Sequence, residues 1–153
     1  MKKSFTLVEI LVVVTIIGLL TLITVVSYSA FLKQARDAKR KADLEQIRAA
    51  LEMYRSNNDA YYPGTMTGDC TNAVYNIYTT PVKYIEEMPS DPKSSAGYYY
   101  RCNISTSDYT LGTYLEGGSG SCLGTCKTGV QCNYCVGPYG QTYPWKNWKD
   151  LLL

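Results

Sequence analysis

The chain has 153 residues, a formal net charge of +2 and 46% hydrophobic residues, enough for one modest domain beside a separate apolar segment. It contains no histidine, which removes the usual general base and the commonest metal ligand. No nucleophile–base pair or acid pair stands out, so the composition argues against an enzyme. A net charge this small gives no support for nucleic-acid binding.

The first predicted element is a long apolar helix at residues 5–30, which reads FTLVEILVVVTIIGLLTLITVVSYSA. Because about 20 helical residues cross the roughly 30 Å hydrocarbon core of a bilayer, this segment is predicted to span a membrane. Glu9 is its single charged residue. An ionisable group inside a spanning helix costs about 2.5–3.5 kcal/mol, so the presence of Glu9 indicates a function.

Three other interpretations of this segment remain open. A cleaved secretory signal would use Ser27-Tyr28-Ser29 as its cleavage site, but such signals have a shorter apolar core and no acid within it. A plain signal anchor would let Glu9 reach the membrane interface. A buried core helix is usually shorter than this run.

The N-terminal residues KKS-FTLVEIL, followed by the apolar run, resemble the N-terminus of type IV pilins and of the pseudopilins of type II secretion. The resemblance implies a leader at residues 1–4, which a prepilin peptidase removes by cleavage between Ser4 and Phe5. It also implies methylation of the new N-terminus at Phe5 and a requirement for Glu9 in filament assembly. That family usually has glycine where this chain has Ser4.

The charge on Glu9 has a physical explanation if the leader is removed, because Phe5 then carries an ammonium group. A buried carboxylate is tolerated when it meets an opposite charge. If identical helices pack with an axial stagger, Glu9 of one subunit meets the Phe5 amine of its neighbour. A wrong register would leave both charges unpaired, so the pair is expected to set the register between subunits.

Residues 31–57 are predicted to continue the helix as an amphipathic arm, since apolar residues recur every three or four positions without proline or glycine. The stripe of Ile47, Leu51 and Tyr54 is expected to pack against a globular part. The arm also carries a basic group, which we interpret as a solvated helix face because acids alternate with it. A lipid-headgroup or nucleic-acid patch is the alternative. The group comprises Lys33, Arg36, Lys39, Arg40 and Lys41.

Residues 58–153 are predicted to form a small globular β domain. A loop region runs to Pro92 and includes a short helix around residues 73–78. Two segments rich in β-forming residues, 97–103 and 109–116, predict an antiparallel hairpin, and a third strand is predicted at 131–136. The fold class is therefore α+β, with the long N-terminal helix packed on a small antiparallel sheet.

Six cysteines behind a membrane signal predict an oxidising compartment and disulfides that brace a thin core. Our preferred pairing joins Cys70 to Cys102 and leaves the last four to pair among themselves. Those four also match the spacing of a zinc site loosely, and the CxxC at Cys132 and Cys135 lacks the surroundings of a thioredoxin-like site. The six are Cys70, Cys102, Cys122, Cys126, Cys132 and Cys135.

Tyrosine is unusually frequent, and thirteen of the fifteen tyrosines follow the arm. They indicate either a contact surface or a small core in which tyrosine replaces phenylalanine and leucine. The resemblance also raises calcium, because some pseudopilins bind this ion in a C-terminal loop. Asp108, Glu116 and Asp150 are too scattered to be assigned as ligands, so no cofactor is predicted.

The predicted function is that of a structural subunit in a type IV pilus-like filament. One alternative is a pseudopilin of a type II secretion system, and another is a signal-anchored extracytoplasmic binding domain that does not polymerise. The resemblance implies a single-pass precursor in the cytoplasmic membrane with its globular domain outside, followed by an extracellular filament or a periplasmic pseudopilus.

The partners that the resemblance implies are further copies of the chain, prepilin peptidase, membrane lipid before assembly, and an inner-membrane assembly platform with its ATPase. Nucleic acid is a partner only if the filament serves DNA uptake. Motility, adhesion and secretion are the other roles open to such a filament.

Overall fold

The computed structural model of the chain describes residues 6–60, 62–73, 77 and 82–139. The chain divides into two units, Met1–Ala35 and Arg36–Leu153. The predicted leader at residues 1–4 and the predicted methylation position, Phe5, lie outside the described residues, as does Asp150.

The first element is helix α1, Leu7–Asn57. Its start is capped by Thr6, whose hydroxyl accepts a hydrogen bond from the Glu9 backbone N–H at 3.3 Å. A threonine followed three residues later by a glutamate is a typical helix-start pattern. At the other end, the Ala60 N–H donates to the Arg55 carbonyl at 3.1 Å, which satisfies one of the carbonyls left open at a helix C-terminus.

In the first unit, the large apolar side chains of α1 from Leu7 to Leu22 are exposed, between 46% at Val12 and 81% at Leu7. Among the residues that the structure describes, no helix combines the length and the apolar character needed to cross a membrane. The predicted spanning segment, residues 5–30, includes residue 5 and the side chains of residues 23–27, which lie outside that description.

The described part of the second unit contains six strands, a short helix and a 3₁₀ helix beside the C-terminal part of α1. In chain order these are β1 (Met66–Asp69), α2 (Cys70–Ala73), the 3₁₀ helix (Ser94–Ala96), β2 (Arg101–Ile104), β3 (Tyr109–Thr113), β4 (Cys122–Lys127), β5 (Val130–Cys132) and β6 (Tyr134–Val136). One antiparallel sheet has the order β1-β2-β3-β6, and β4 pairs with β5 in a separate two-stranded sheet.

The core of this unit lies between α1 and the four-stranded sheet. Leu44, Ile47 and Leu51 are completely buried on α1, in one cluster with sheet residues such as Ile104 and Leu111. A buried leucine or isoleucine contributes about 1.5–3 kcal/mol, so this stripe accounts for much of the attachment of the helix. The prediction of an α+β fold with a long helix on an antiparallel sheet is confirmed.

The predicted third strand, residues 131–136, is wrong because the segment forms two strands in different sheets. Asn133 separates them, and its side-chain amide pairs with the backbone of Leu115, accepting from its N–H at 2.7 Å and donating to its carbonyl at 2.9 Å. This contact fixes the point where the chain passes from β5 to β6. Strands β1 and β4 were not predicted. The short helix begins at Cys70, and most of the predicted helix at 73–78 lies outside the described residues.

Candidate assembly helix and charge cluster

Glu9 lies in the first turn of α1 and is exposed on an otherwise apolar stretch of helix. A carboxylate in the first turn is favourable because the partial positive charge of the helix dipole lies at that end. The predicted partner group on Phe5 and the predicted cleavage position at Ser4 lie outside the described residues. The pairing of Glu9 with a neighbouring Phe5 therefore stays a prediction.

A second candidate site lies in the second unit, where α1 meets two loops. Three cations and three carboxylates converge there, so their formal charges cancel. We call this group the charge cluster; it consists of Arg36, Asp37, Arg40, Asp91, Lys93 and Glu116.

Arg40 is the centre of the charge cluster, and its side chain is completely buried. Its Nε and Nη2 atoms donate to the two carboxylate oxygens of Asp91 at 2.8 and 3.1 Å. Its Nη1 donates to Asp37 at 2.9 Å and to Glu116 at 3.2 Å. Burial alone would lower the pKa of Arg40, but the hydrogen bond and charge of Asp91 raise it above its ordinary value.

Glu116, which follows β3, forms ion pairs with three cations. Arg36 donates to both of its carboxylate oxygens, at 2.6 and 2.8 Å, Lys93 donates at 2.9 Å, and Arg40 completes the set. The hydrogen bond from Arg36 is the main reason that the pKa of Glu116 lies far below its ordinary value, with burial opposing it and Lys93 and Arg40 adding to it. Glu116 therefore stays ionised in the folded protein.

Asp37 attaches the same loop through the backbone. Its two carboxylate oxygens accept hydrogen bonds from the N–H groups of Glu116 and Gly117, both at 2.9 Å. Charge-assisted bonds of this kind are roughly twice as strong as neutral ones. The charge cluster thus fixes two separate loops to a single helical turn.

The interpretation of the basic group on the arm as a solvated face is wrong for Arg40, which is buried, and for Arg36, which is bound to Glu116. Lys33, Lys39 and Lys41 are exposed as expected. The pairing was missed because the partner acids lie 51 and 76 residues away from Arg40. One signal was present: Arg40 precedes Leu44 by four positions and so continues the buried stripe of α1.

Three tyrosines belong to the core and place their hydroxyls against acids of α1. Tyr100 donates to Asp43, while Tyr62 and Tyr109 both donate to Glu52, at 3.0 and 2.9 Å. Burial, and then the bond to Glu52, raise the pKa of Tyr62 to about 12 and raise the pKa of Tyr109 further. For these tyrosines, the interpretation as core residues is the correct one.

The disulfide prediction is confirmed. The structure joins Cys70 to Cys102, Cys122 to Cys135 and Cys126 to Cys132. All six cysteines form disulfides, so none is available to bind zinc. The two cysteines of the CxxC motif pair with other cysteines and not with each other. The last four cysteines make up a small second core, against which Tyr114 packs.

The described residues do not fit a calcium site. Asp108 precedes β3 and Glu116 follows it, so the strand separates them. Calcium takes about six to eight oxygen ligands. The carboxylates that do converge, those of the charge cluster, already bind the chain's own cations, and no group of three or more acids, histidines or cysteines within the described part of the chain is arranged to hold a metal ion.

Comparisons with known proteins show which family the chain belongs to. The family model described as the prokaryotic N-terminal methylation motif matches residues 1–25. The chain is similar to the type II secretion system core protein G of Pseudomonas aeruginosa, with 42% identity over 67 residues that cover 44% of this chain and 46% of that relative. It is also similar to the protein of the same name from Klebsiella pneumoniae, with 32% identity over 100 residues that cover 61% of this chain and 71% of that relative.

The chain belongs to the type II secretion system core protein G family. A third member of the core protein G family, from Escherichia coli strain K12, is 31% identical over 99 residues that cover 60% of this chain and 66% of that relative. The resemblance of the N-terminus to pilins and pseudopilins is confirmed. The chain spans less than two thirds of the length of the Pseudomonas and Escherichia core protein G relatives. No solved structure matches the chain.

Proposed function

We propose that the chain is a structural subunit of a pseudopilus-like filament, assembled through α1 after removal of residues 1–4. The observation that carries this proposal is the exposed apolar surface of α1, with Glu9 as its single charge between Leu7 and Leu22. Isolated apolar residues on a surface are ordinary, but a continuous exposed apolar stretch indicates contact with lipid or protein. A filament subunit makes both contacts: its helix contacts lipid before assembly and the helices of other subunits afterwards.

Glu9 gives the assembly its register. Once the leader is removed, the Phe5 amine of one subunit can neutralise the Glu9 carboxylate of the next. Removing one partner of a buried ion pair costs about 3–5 kcal/mol, so subunits packed out of register are strongly disfavoured. The helix supports this role because Thr6 caps it directly before the acid.

The proposed location is a single-pass precursor in the cytoplasmic membrane, with residues 36–153 on the outer side and later in the filament. The three disulfides support the outer side, since disulfides persist in oxidising compartments and are rare in the cytosol. A prepilin peptidase and an assembly platform with its ATPase are the proposed partners. The role is structural rather than enzymatic.

The decisive experiment compares the full chain with Glu9→Leu in cells that contain a prepilin peptidase and a pseudopilus assembly system. We expect both proteins to insert and to lose residues 1–4, but only the unaltered chain to form filaments, as seen by electron microscopy of sheared material. Glu86→Leu is the matched control because this acid is 90% exposed in the second unit, and it should assemble normally.

N-terminal mass spectrometry of the same samples separates the alternatives. A chain that starts at a methylated Phe5 supports assembly, whereas one that keeps Met1 and stays monomeric is a signal-anchored binding domain. Long fibres on the cell surface would favour a type IV pilus over a periplasmic pseudopilus. Filaments formed in normal yield by Glu9→Leu would remove the role assigned to the acid.

A further inference from the structure

The charge cluster leaves its three carboxylates few open coordination positions, because the chain's own donors use all four acceptor positions of Glu116 and three each of Asp37 and Asp91. Arg40 and Asp91 are essentially inaccessible, Glu116 and Asp37 are 11% and 14% exposed, and even Lys93 is only 38% exposed. Each acid accepts at least three hydrogen bonds from nitrogen donors of the chain itself. The acids are therefore satisfied by protein groups in a site that is largely closed to solvent.

A divalent ion would have no favourable way to enter this arrangement. Calcium binds through oxygen atoms at about 2.3–2.6 Å, and affinity rises with the number of negative ligands. The cluster has three negative and three positive side chains, so an added calcium would meet a neutral group and would have to displace the guanidinium groups of Arg36 and Arg40. The bidentate geometry of both arginines makes that displacement unfavourable.

We propose that Arg36, Arg40 and Lys93 supply the positive charge that fixes the loop after β3, so that this loop needs no calcium to keep its folded position. In some pseudopilins, which the N-terminus resembles, calcium is bound in a C-terminal loop. Here the same requirement, neutralising acids that hold a loop in place, is met by cations from α1 and from the turn before the 3₁₀ helix. This inference concerns the second unit and is independent of filament assembly.

The first test measures the thermal midpoint of the full chain in detergent, followed by near-ultraviolet circular dichroism of its tyrosines. A ligand that binds only the folded state raises the midpoint by about 10 °C or more at a hundred times its Kd. We expect the midpoint in about 10 mM calcium chloride, at least ten times the Kd of an extracellular calcium module, to match that in EGTA within about 1 °C.

The second test removes two of the cations with Arg36→Gln/Lys93→Gln, which leaves the three acids with Arg40 alone. We expect a lower midpoint in EGTA and a partial recovery in calcium, because the acids then carry an excess of negative charge. The matched control is Arg48→Gln/Lys83→Gln, which removes the same two residue types from a partly exposed ion pair with Glu45 and an exposed one with Glu86. It should change the midpoint little and respond to calcium no more than the unaltered chain does.

Three results would overturn the proposal. One is a rise of several degrees in the midpoint of the unaltered chain when calcium replaces EGTA. The second is a double variant as stable as the control, and the third is a double variant that calcium does not stabilise. The measurement on the unaltered chain stands even if the double variant does not fold.

Discussion

Arg40 on α1 and Asp91 in the loop before the 3₁₀ helix form a bidentate ion pair in which neither side chain is more than 1% exposed. A charge pair this deeply buried carries a large desolvation penalty, which is offset only when the geometry is good and further hydrogen bonds satisfy the remaining polar atoms. Arg40 satisfies this condition through its further bonds to Asp37 and Glu116. The pair therefore specifies where the loop sits on the helix.

Removal of this pair's cation should destabilise the second unit strongly. We expect Arg40→Met to lower the free energy of unfolding by about 3–5 kcal/mol, because Asp91 is left buried without its partner. Urea denaturation followed by near-ultraviolet circular dichroism measures this change.

The control for that variant is Arg48→Met, which breaks an i,i+3 pair with Glu45 whose side chains are 30% and 43% exposed. We expect a loss below about 1 kcal/mol, since water already screens that pair. Equal losses in the two variants would contradict the distinction between the buried and the exposed pair.

Acid should weaken the second unit through Glu116. Its pKa in the folded protein lies far below the ordinary 4.5. Its contribution to the free energy of unfolding is therefore complete above pH 4.5 and is lost as the pH falls below 4.5. We expect Glu116→Gln to be less stable than the unaltered chain near neutral pH and the difference to shrink between about pH 5 and pH 3. Urea denaturation at several pH values measures the difference. A gap that stays constant over this range would show that Glu116 acts without its charge.

Alkali should weaken the unit through Tyr109, which is 2% exposed and bound to Glu52. Burial and Glu52 raise its pKa above the ordinary 10.0. Its contribution to the free energy of unfolding is therefore complete below pH 10 and is lost as the pH rises above 10. We expect Tyr109→Phe to lose about 1.5–3 kcal/mol at neutral pH, the range for a hydrogen bond to a charged group, and to show a shallower decline above about pH 10. Tyr139→Phe, at an 82% exposed position, should behave as the unaltered chain does in the same denaturation series.

Local patterns in the sequence were sufficient to predict the long helix, because a run of helix formers with apolar residues every three or four positions identifies both the helix and its buried face. Leu44, Ile47 and Leu51 lie where that pattern placed them. The cysteine content and its expected compartment likewise predicted the disulfides.

The features that the sequence did not predict depend on contacts between residues far apart in the chain. Asn133 divides a β-rich segment into two strands through its bonds to Leu115, 18 residues earlier. In the sequence Arg40 is one of several basic residues on the arm, and only its contact with Asp91 in the folded unit distinguishes it. No local propensity encodes either contact, so both became visible only in the folded unit.

The three disulfides should contribute in the order of the chain lengths they close, which are 32 residues for Cys70–Cys102, 13 for Cys122–Cys135 and 6 for Cys126–Cys132. Loop-closure entropy predicts losses of about 3.7, 2.9 and 2.2 kcal/mol when each pair is replaced by alanines. Urea midpoints of the three double variants test the order. A larger loss from the shortest loop than from the longest would mean that packing, rather than chain entropy, determines their contribution.

The same substitution, alanine to glycine, should have opposite effects at two positions near the end of α1. Ala60 has a φ of 66°, a left-handed conformation that costs an L-residue about 1–2 kcal/mol, whereas glycine adopts it freely. After allowing for the greater flexibility of glycine in the unfolded chain, we expect Ala60→Gly to stabilise the protein by about 0.5–1 kcal/mol. Ala49 is exposed within the helix, so Ala49→Gly should destabilise it by about 1 kcal/mol. Urea denaturation of both variants measures the two signs, and a loss of stability at both positions would mean that the end of α1 adopts another conformation in solution.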